Sequence, residues 1–311
     1  MNYRDSGAAL SRENVALIEH PEEAQSSLLA LHLSLFKVRI LGGVATSALL
    51  GAFLVSPEIP PIQTLLFLLV GTALSYGGAA AWNQVLEVPF DKQMERTRAR
   101  PLPSGELSVR YAIGIGSLFA VLGVAVLYLC VSPVTGLLSI AAFISYVFIY
   151  TPLKRVGWYG TLVGTIPGAL PAVGGAVYFE DTDFVVVTAL FLLMVFWQLP
   201  HFYAYLWDVR GDYQKAGFSM LPYATPNGLY LMKRLVVLGA LITALSTAVI
   251  SFFSPALTIV SGSIATLGAG YLLVQSLHFA SSPDSASSKR LFRSTIYFIA
   301  YFMCVAGFSF V

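Results

Sequence analysis

Residues 63–105 read QTLLFLLVGTALSYGGAAAWNQVLEVPFDKQMERTRARPLPSG. As far as about residue 86 this run is apolar and long enough to cross a bilayer, which takes roughly 20 mostly apolar residues as a helix. Its end then gathers three acids and four bases between 83 and 105. The rest of the chain repeats the apolar half of that pattern. Of 311 residues, 57% are hydrophobic and 11% charged, where a soluble domain carries about a quarter charged residues, and the mean hydropathy is +0.75. Nine apolar stretches stand out, at about 38–56, 63–86, 110–131, 134–151, 157–178, 184–206, 231–253, 256–278 and 293–311. The short alternating segments of a membrane barrel are absent. The sequence therefore predicts an all-α fold, a polytopic membrane helical bundle of about nine transmembrane helices over 38–311, with the lipid bilayer as its surroundings and no nucleic-acid partner.

Residues 1–37 are set apart as a polar N-terminal tail. Glu13, Glu19, Glu22 and Glu23, with no basic n-region leading into an apolar stretch, argue against a signal peptide and against a mitochondrial presequence. A disordered or surface-lying cytoplasmic tail is expected. Cys130 and Cys304 lie in apolar spans without further ligands at metal spacing and read as packing residues. Gly164, Pro167, Gly168, Pro171, Gly174 and Gly175 crowd the fifth span, as close helix packing or a broken helix lining a cavity would both require.

Orientation follows from the bases. If the N-terminus is cytoplasmic, all 18 Lys and Arg residues fall at that face, and the opposite loops SPEIPP, VSPV, FEDTD and FFSP hold none. The positive-inside rule accounts for such a bias. It does not account for the acids among the bases. Asn83, Glu87 and Asp91 are spaced four apart, which places them along one helical stripe; Pro89 is expected to bend or unwind the turn that carries Asp91. Asp208 and Asp212 repeat the spacing 121 residues further on, at the same face. Between them come Tyr150 and Lys154, again four apart, while Lys92, Arg96 and Arg100 form a basic series.

Carboxylates on membrane helices are costly and mark function. Two such clusters beside Lys and Arg suit a hard divalent cation, Mg2+ best, joined to a phosphate or diphosphate. Solvated loops with chance spacing are the bland alternative. A transporter is a further one, although it would place acids near the bilayer midplane on broken helices.

At these residues the chain resembles the UbiA superfamily of membrane prenyltransferases. Asn83-x3-Glu87-x3-Asp91 resembles that family's first aspartate-rich motif, Tyr150-x3-Lys154 its YxxxK element, and Asp208-x3-Asp212 its second aspartate-rich motif. The segments DKQMERTRARPL (91–102), YTPLKR (150–155) and WQLPHFYAYLWDVRGDYQKAGFSMLP (197–222) are similar to its heme-farnesylating branch, over roughly residues 38–311. Two departures stand out: Glu87 replaces the usual Asp, and Asp208 stands where bacterial members of that branch carry a non-acidic residue.

The resemblance implies transfer of farnesyl from farnesyl diphosphate to a vinyl group of heme B, and the tail without a presequence favours a bacterial cytoplasmic (inner) membrane over an organelle as the alternative. It implies Mg2+ held by Asn83, Glu87, Asp91 and Asp212, with Asp208 a weaker candidate. Arg96, Arg100, Lys154 and Arg210 would face the diphosphate, with Tyr150 beside them; Asp91, Lys154 and Asp212 would be catalytic. His201 is a candidate heme contact or a hydrogen-bonded structural residue; His20, His32 and His278 carry no such context. A quinone precursor or other aromatic acceptor remains the alternative, and docking of heme A synthase or an oxidase assembly partner stays open.

Overall fold

The computed structural model describes residues 27–179 and 181–310. Among them every regular element is helical. Chain order is α1 (Leu28–Leu35), α2 (Val38–Val55), α3 (Ile62–Asp91), the single turn α4 (Pro101–Ser104), α5 (Val109–Cys130) and α6 (Pro133–Ile144). A π-helical stretch (Ser145–Tyr150) continues into α7 (Thr151–Val156), and the chain goes on through α8 (Gly160–Ala176), α9 (Phe184–Lys215), α10 (Gly228–Phe253), α11 (Ile259–Ser281) and α12 (Ser285–Phe308).

Eight helical stretches are long and apolar enough to cross a membrane, with α6, the π-helical stretch and α7 acting as one. The ninth expected span is α8, which has 17 residues and so rises about 26 Å at ~1.5 Å per residue. It runs unbroken through Pro167 and Pro171, so its glycines serve packing. A Cβ on Gly51 would overlap the Ala172 carbonyl oxygen, and one on Gly175 would overlap that of Ala48. The backbones of α2 and α8 thus meet where only hydrogen fits, as small residues permit between helices in lipid. Gly78 and Gly123 bring α3 onto α5 in the same way. Leu118, Val121, Leu122 and Leu129 of α5 are exposed, the outward apolar face expected of a helix surrounded by lipid. Cys130 and Cys304 are exposed too, which corrects their reading as packing residues.

The segment 1–26 lies outside the described residues. The first described element is the apolar helix α1, capped by Ser27, with Leu28, Leu29 and Leu33 exposed and Leu35 fully buried against Ala81, Leu102 and Ala112. The principal apolar core lies in the other half of the bundle, where α2 and α8–α12 enclose Leu50, Leu190, Leu193, Tyr203, Met232, Phe279 and Phe302. Pro89 does not end α3: the helix continues to Asp91, and Arg155 Nη2 donates to the Leu86 carbonyl at 2.7 Å, just before the proline. Its guanidinium also lies 3.8 Å from the Phe90 ring centroid. The bend expected at Asp91 is therefore replaced by a braced helical turn.

Candidate active site

The last two turns of α3 present Asn83, Glu87 and Asp91 on one stripe, and all three are buried, at 1%, 4% and 0% exposure. Buried charge is tolerable only when compensated, and each group has a base beside it. Lys154 of α7 pairs with Glu87. Arg100, from the segment after α3, places Nη1 2.6 Å from Asp91 Oδ2. Lys37, between α1 and α2, donates to Asn83 Oδ1. The Asn83 amide donates in turn to Thr151 Oγ1 at 3.0 Å, tying α3 to α7. Lys37 lies just ahead of the first span and is partly buried here, and the water it loses pushes its ammonium down to about 7 against the opposite pull of Glu87.

The π-helical stretch sets the other wall. Such widened turns recur at functional sites because they re-aim side chains. Tyr146 and Tyr150 stack with centroids 5.6 Å apart, and the Tyr150 ring occupies the space that a Cβ on Gly164 would need. Lys154 Nζ lies 5.5 Å from the centroids of both Tyr150 and Phe218, within range of cation–π attraction. The spacing of Tyr150 and Lys154 thus yields one unit.

From across the bundle, α9 contributes tyrosines as well as its acids. Arg96 stands 5.8 Å from the ring centroids of Tyr205 and Tyr213 and donates to the Tyr213 hydroxyl at 3.5 Å. The charged neighbours of Tyr213 include Lys154, Arg96 and Glu87; those of Tyr205 are Arg96, Arg100 and Asp212. Tyr205 thus lies within electrostatic range of both Arg100 and Asp212.

Asp208 and Arg210 stand apart. Asp208 is exposed and accepts a hydrogen bond from Ser285 Oγ at 3.1 Å. Arg210 lies over Trp207 at 4.4 Å and donates to the Tyr223 hydroxyl at 3.0 Å. Sequence reasoning alone misses Lys37, Thr151, Arg155, Tyr205 and Tyr213. For Tyr213 a signal exists, an aromatic hydroxyl beside Asp212; for Lys37 and Arg155 the topological role of a base conceals the structural one.

His201 sits further along α9, stacked between Trp197 at 5.1 Å and Phe292 at 4.7 Å. Its Nδ1 is 2.8 Å from Thr295 Oγ1, and that hydroxyl spends its only proton on the Phe292 carbonyl at 2.6 Å. Nδ1 must therefore be the donor, which leaves a lone pair on Nε2. Phe292 also approaches Tyr205, at 6.0 Å, so an aromatic path runs from His201 toward Arg96.

Among the described residues no three carboxylate, imidazole or thiolate groups converge to cage a metal. The donor set instead fits a hard cation that needs one or two carboxylates and takes its other ligands from water and phosphate. Asp91 Oδ1 is the telling atom: it is buried and has no hydrogen-bond partner, although buried carboxylate oxygens are ordinarily satisfied.

The UbiA prenyltransferase family model matches residues 44–302. The protoheme IX farnesyltransferase of Salinibacter ruber is 35% identical over 86% of this chain and 94% of its own length. Its human mitochondrial counterpart is 35% identical over 83% of this chain and 57% of its own length. A UbiA homologue from Archaeoglobus fulgidus, solved with GPP and Mg2+ bound, superposes with a TM-score of 0.63 at 19% identity, covering 89% of this chain and 99% of that one. With the family model spanning most of the bundle and relatives this similar along much of the chain, the protein belongs to the UbiA prenyltransferase family.

Proposed function

We propose that this chain transfers the farnesyl group of farnesyl diphosphate to a vinyl group of heme B, giving heme O and diphosphate. The observation that carries the reading is the buried cluster of Glu87 and Asp91 with Lys154 and Arg100 at one end of an apolar bundle, in a chain similar to protoheme IX farnesyltransferases over most of its length. A substrate with an anionic head and a hydrocarbon tail matches both halves of that site.

Asn83, Glu87, Asp91 and Asp212 would hold Mg2+, one or two carboxylates to each ion, and Asp208, which faces Ser285, lies outside that set. Bound there, the ion would neutralise the departing diphosphate. The chain's own part is electrostatic and steric. Lys154, Arg96 and Arg100 present donors to the phosphate oxygens, where negative charge grows as the bond from farnesyl carbon to oxygen breaks and the electron pair leaves with diphosphate. Arg210 would assist at the rim. Tyr150, Tyr205 and Tyr213 border the head group with aromatic faces that tolerate an allylic cation. A vinyl carbon of heme then bonds to that cation, water adds to the adjacent carbon, and one proton is released.

His201, neutral with its Nε2 lone pair free, is the candidate contact for heme iron. The protein would work in a bacterial cytoplasmic (inner) membrane with its N-terminus and its charged end in the cytoplasm, a placement supported by the bases gathered at that end. Heme A synthase or an oxidase assembly factor would be the docking partner, testable by co-purification.

Heme titration of the purified protein tests the acceptor. A saturable Soret shift, altered in His201→Ala, is expected. Saturable binding of an aromatic carboxylate with no Soret shift would instead place the chain among prenyltransferases of quinone precursors.

A further inference from the structure

The bend between α1 and α2 is the strongest feature that the proposed reaction leaves unused. Lys37 is the only non-glycine residue with positive φ among the described residues, at 49°, a left-handed conformation that is unfavourable for an L-residue with a Cβ. Such a conformation persists only where its surroundings enforce it. A base serving orientation alone needs no such constraint, because it reaches water from any backbone geometry. Here the bend turns the side chain inward, onto Asn83 Oδ1, with Glu87, Asp91, Arg100 and Lys154 as its charged neighbours.

What enforces the bend is the residue next to Asn83. Gln84 is fully buried, and its Nε2 donates to the carbonyls of both Ser34 and Leu35 at 2.9 Å. Those carbonyls belong to the last turn of α1, where the Ser34 carbonyl also accepts the Lys37 N–H at 3.2 Å. Adjacent residues of α3 thus divide the work, Asn83 meeting the Lys37 ammonium and Gln84 the backbone that carries it. Leu35, fully buried beside Ala81, and a 2.6 Å hydrogen bond between His32 Nε2 and the Tyr111 hydroxyl fix α1 on its other sides.

We propose that Lys37 is a further diphosphate-binding cation of the active site, and that Gln84 is a positioning residue that holds the α1–α2 bend so that Lys37 reaches it. The assignment rests on the prenyl-diphosphate reading of the site. With Lys37 the pocket sets three bases, Lys37, Arg100 and Lys154, against the two buried carboxylates Glu87 and Asp91, an excess that suits an incoming polyanion. With Glu87 and Asp91 engaged by a divalent cation, Lys37, Arg100 and Lys154 would present their donors to phosphate oxygens instead.

The test uses the full chain in lipid nanodiscs, wild type against Lys37→Met, Lys37→Arg and Gln84→Leu. Inorganic diphosphate with Mg2+ is the probe in calorimetry, and steady-state kinetics follow KM for each substrate. Lys37→Met keeps the side-chain stem and should weaken diphosphate binding and raise KM for farnesyl diphosphate at least about tenfold, the loss of one hydrogen bond from a charged donor, with KM for heme unchanged. Lys37→Arg should recover most of the binding, and Gln84→Leu should shift the same two quantities in the same direction by less. Wild-type protein that binds diphosphate no better than folded Lys37→Met overturns the assignment alone. Wild-type protein that binds no diphosphate and uses no prenyl diphosphate overturns the reading and the assignment together.

Discussion

The ends of α3 and α9 carry the same signature, two carboxylates four residues apart, and use it differently. On α3, Glu87 and Asp91 are buried and each is paired with a base from another segment. On α9, Asp208 faces outward to Ser285, while Asp212 is half-buried and linked to the cluster through the surroundings of Tyr205. Spacing on a helix fixes which residues share a stripe; what the stripe faces is decided by neighbouring helices. The α3 pair is consequently part of the architecture, and the α9 pair is not.

Substitutions should separate these roles. The largest combined effect is expected for Asp91→Ala, which leaves the Arg100 guanidinium without its partner. Breaking a buried pair costs about 3–5 kcal/mol, and the lower figure applies because Arg100 is partly exposed. Detergent-solubilised protein should melt well below wild type and show no detectable turnover. Asp212→Ala should be as inactive yet melt with the wild type, since no ion pair is lost; a large drop in its melting temperature would erase the contrast.

Lys154→Ala should act through substrate, raising KM for farnesyl diphosphate by about ten- to a hundredfold, as removal of a charge-assisted hydrogen bond worth ~1.5–3 kcal/mol does. Glu87, left unpaired, should lower stability as well. The smallest effect belongs to Asp208→Ala, with stability within about 1 kcal/mol and turnover within roughly threefold. If Asp208→Ala instead matched Asp212→Ala in steady-state assays, the outward position of Asp208 would not describe the working enzyme.

The spans are legible in the sequence because a bilayer demands runs of apolar residues, and eight helices meet that demand where expected. α1 escapes notice because its eight residues are too few to span and adjoin a polar segment. The stripe on α3 is legible from spacing, but the fate of Pro89 is not, because Arg155 braces the helix from 69 residues away. Lys37 is hidden by a correct rule: the positive-inside count explains a base at that face without asking where its side chain points. Tyr205 lies beyond reach for a related reason, since only packing brings it to Arg96, whereas Tyr213 is signalled by its place next to Asp212.

The central claim is the acceptor and the bond formed to it. The most direct measurement is mass analysis of heme extracted from membranes after this chain is expressed in a cell lacking its own heme O synthase. The account predicts heme in which one vinyl group has become a hydroxyethylfarnesyl group, a product absent when Asp212→Ala is expressed instead. Unmodified heme B alone, with folded protein present and farnesyl diphosphate supplied, would contradict it.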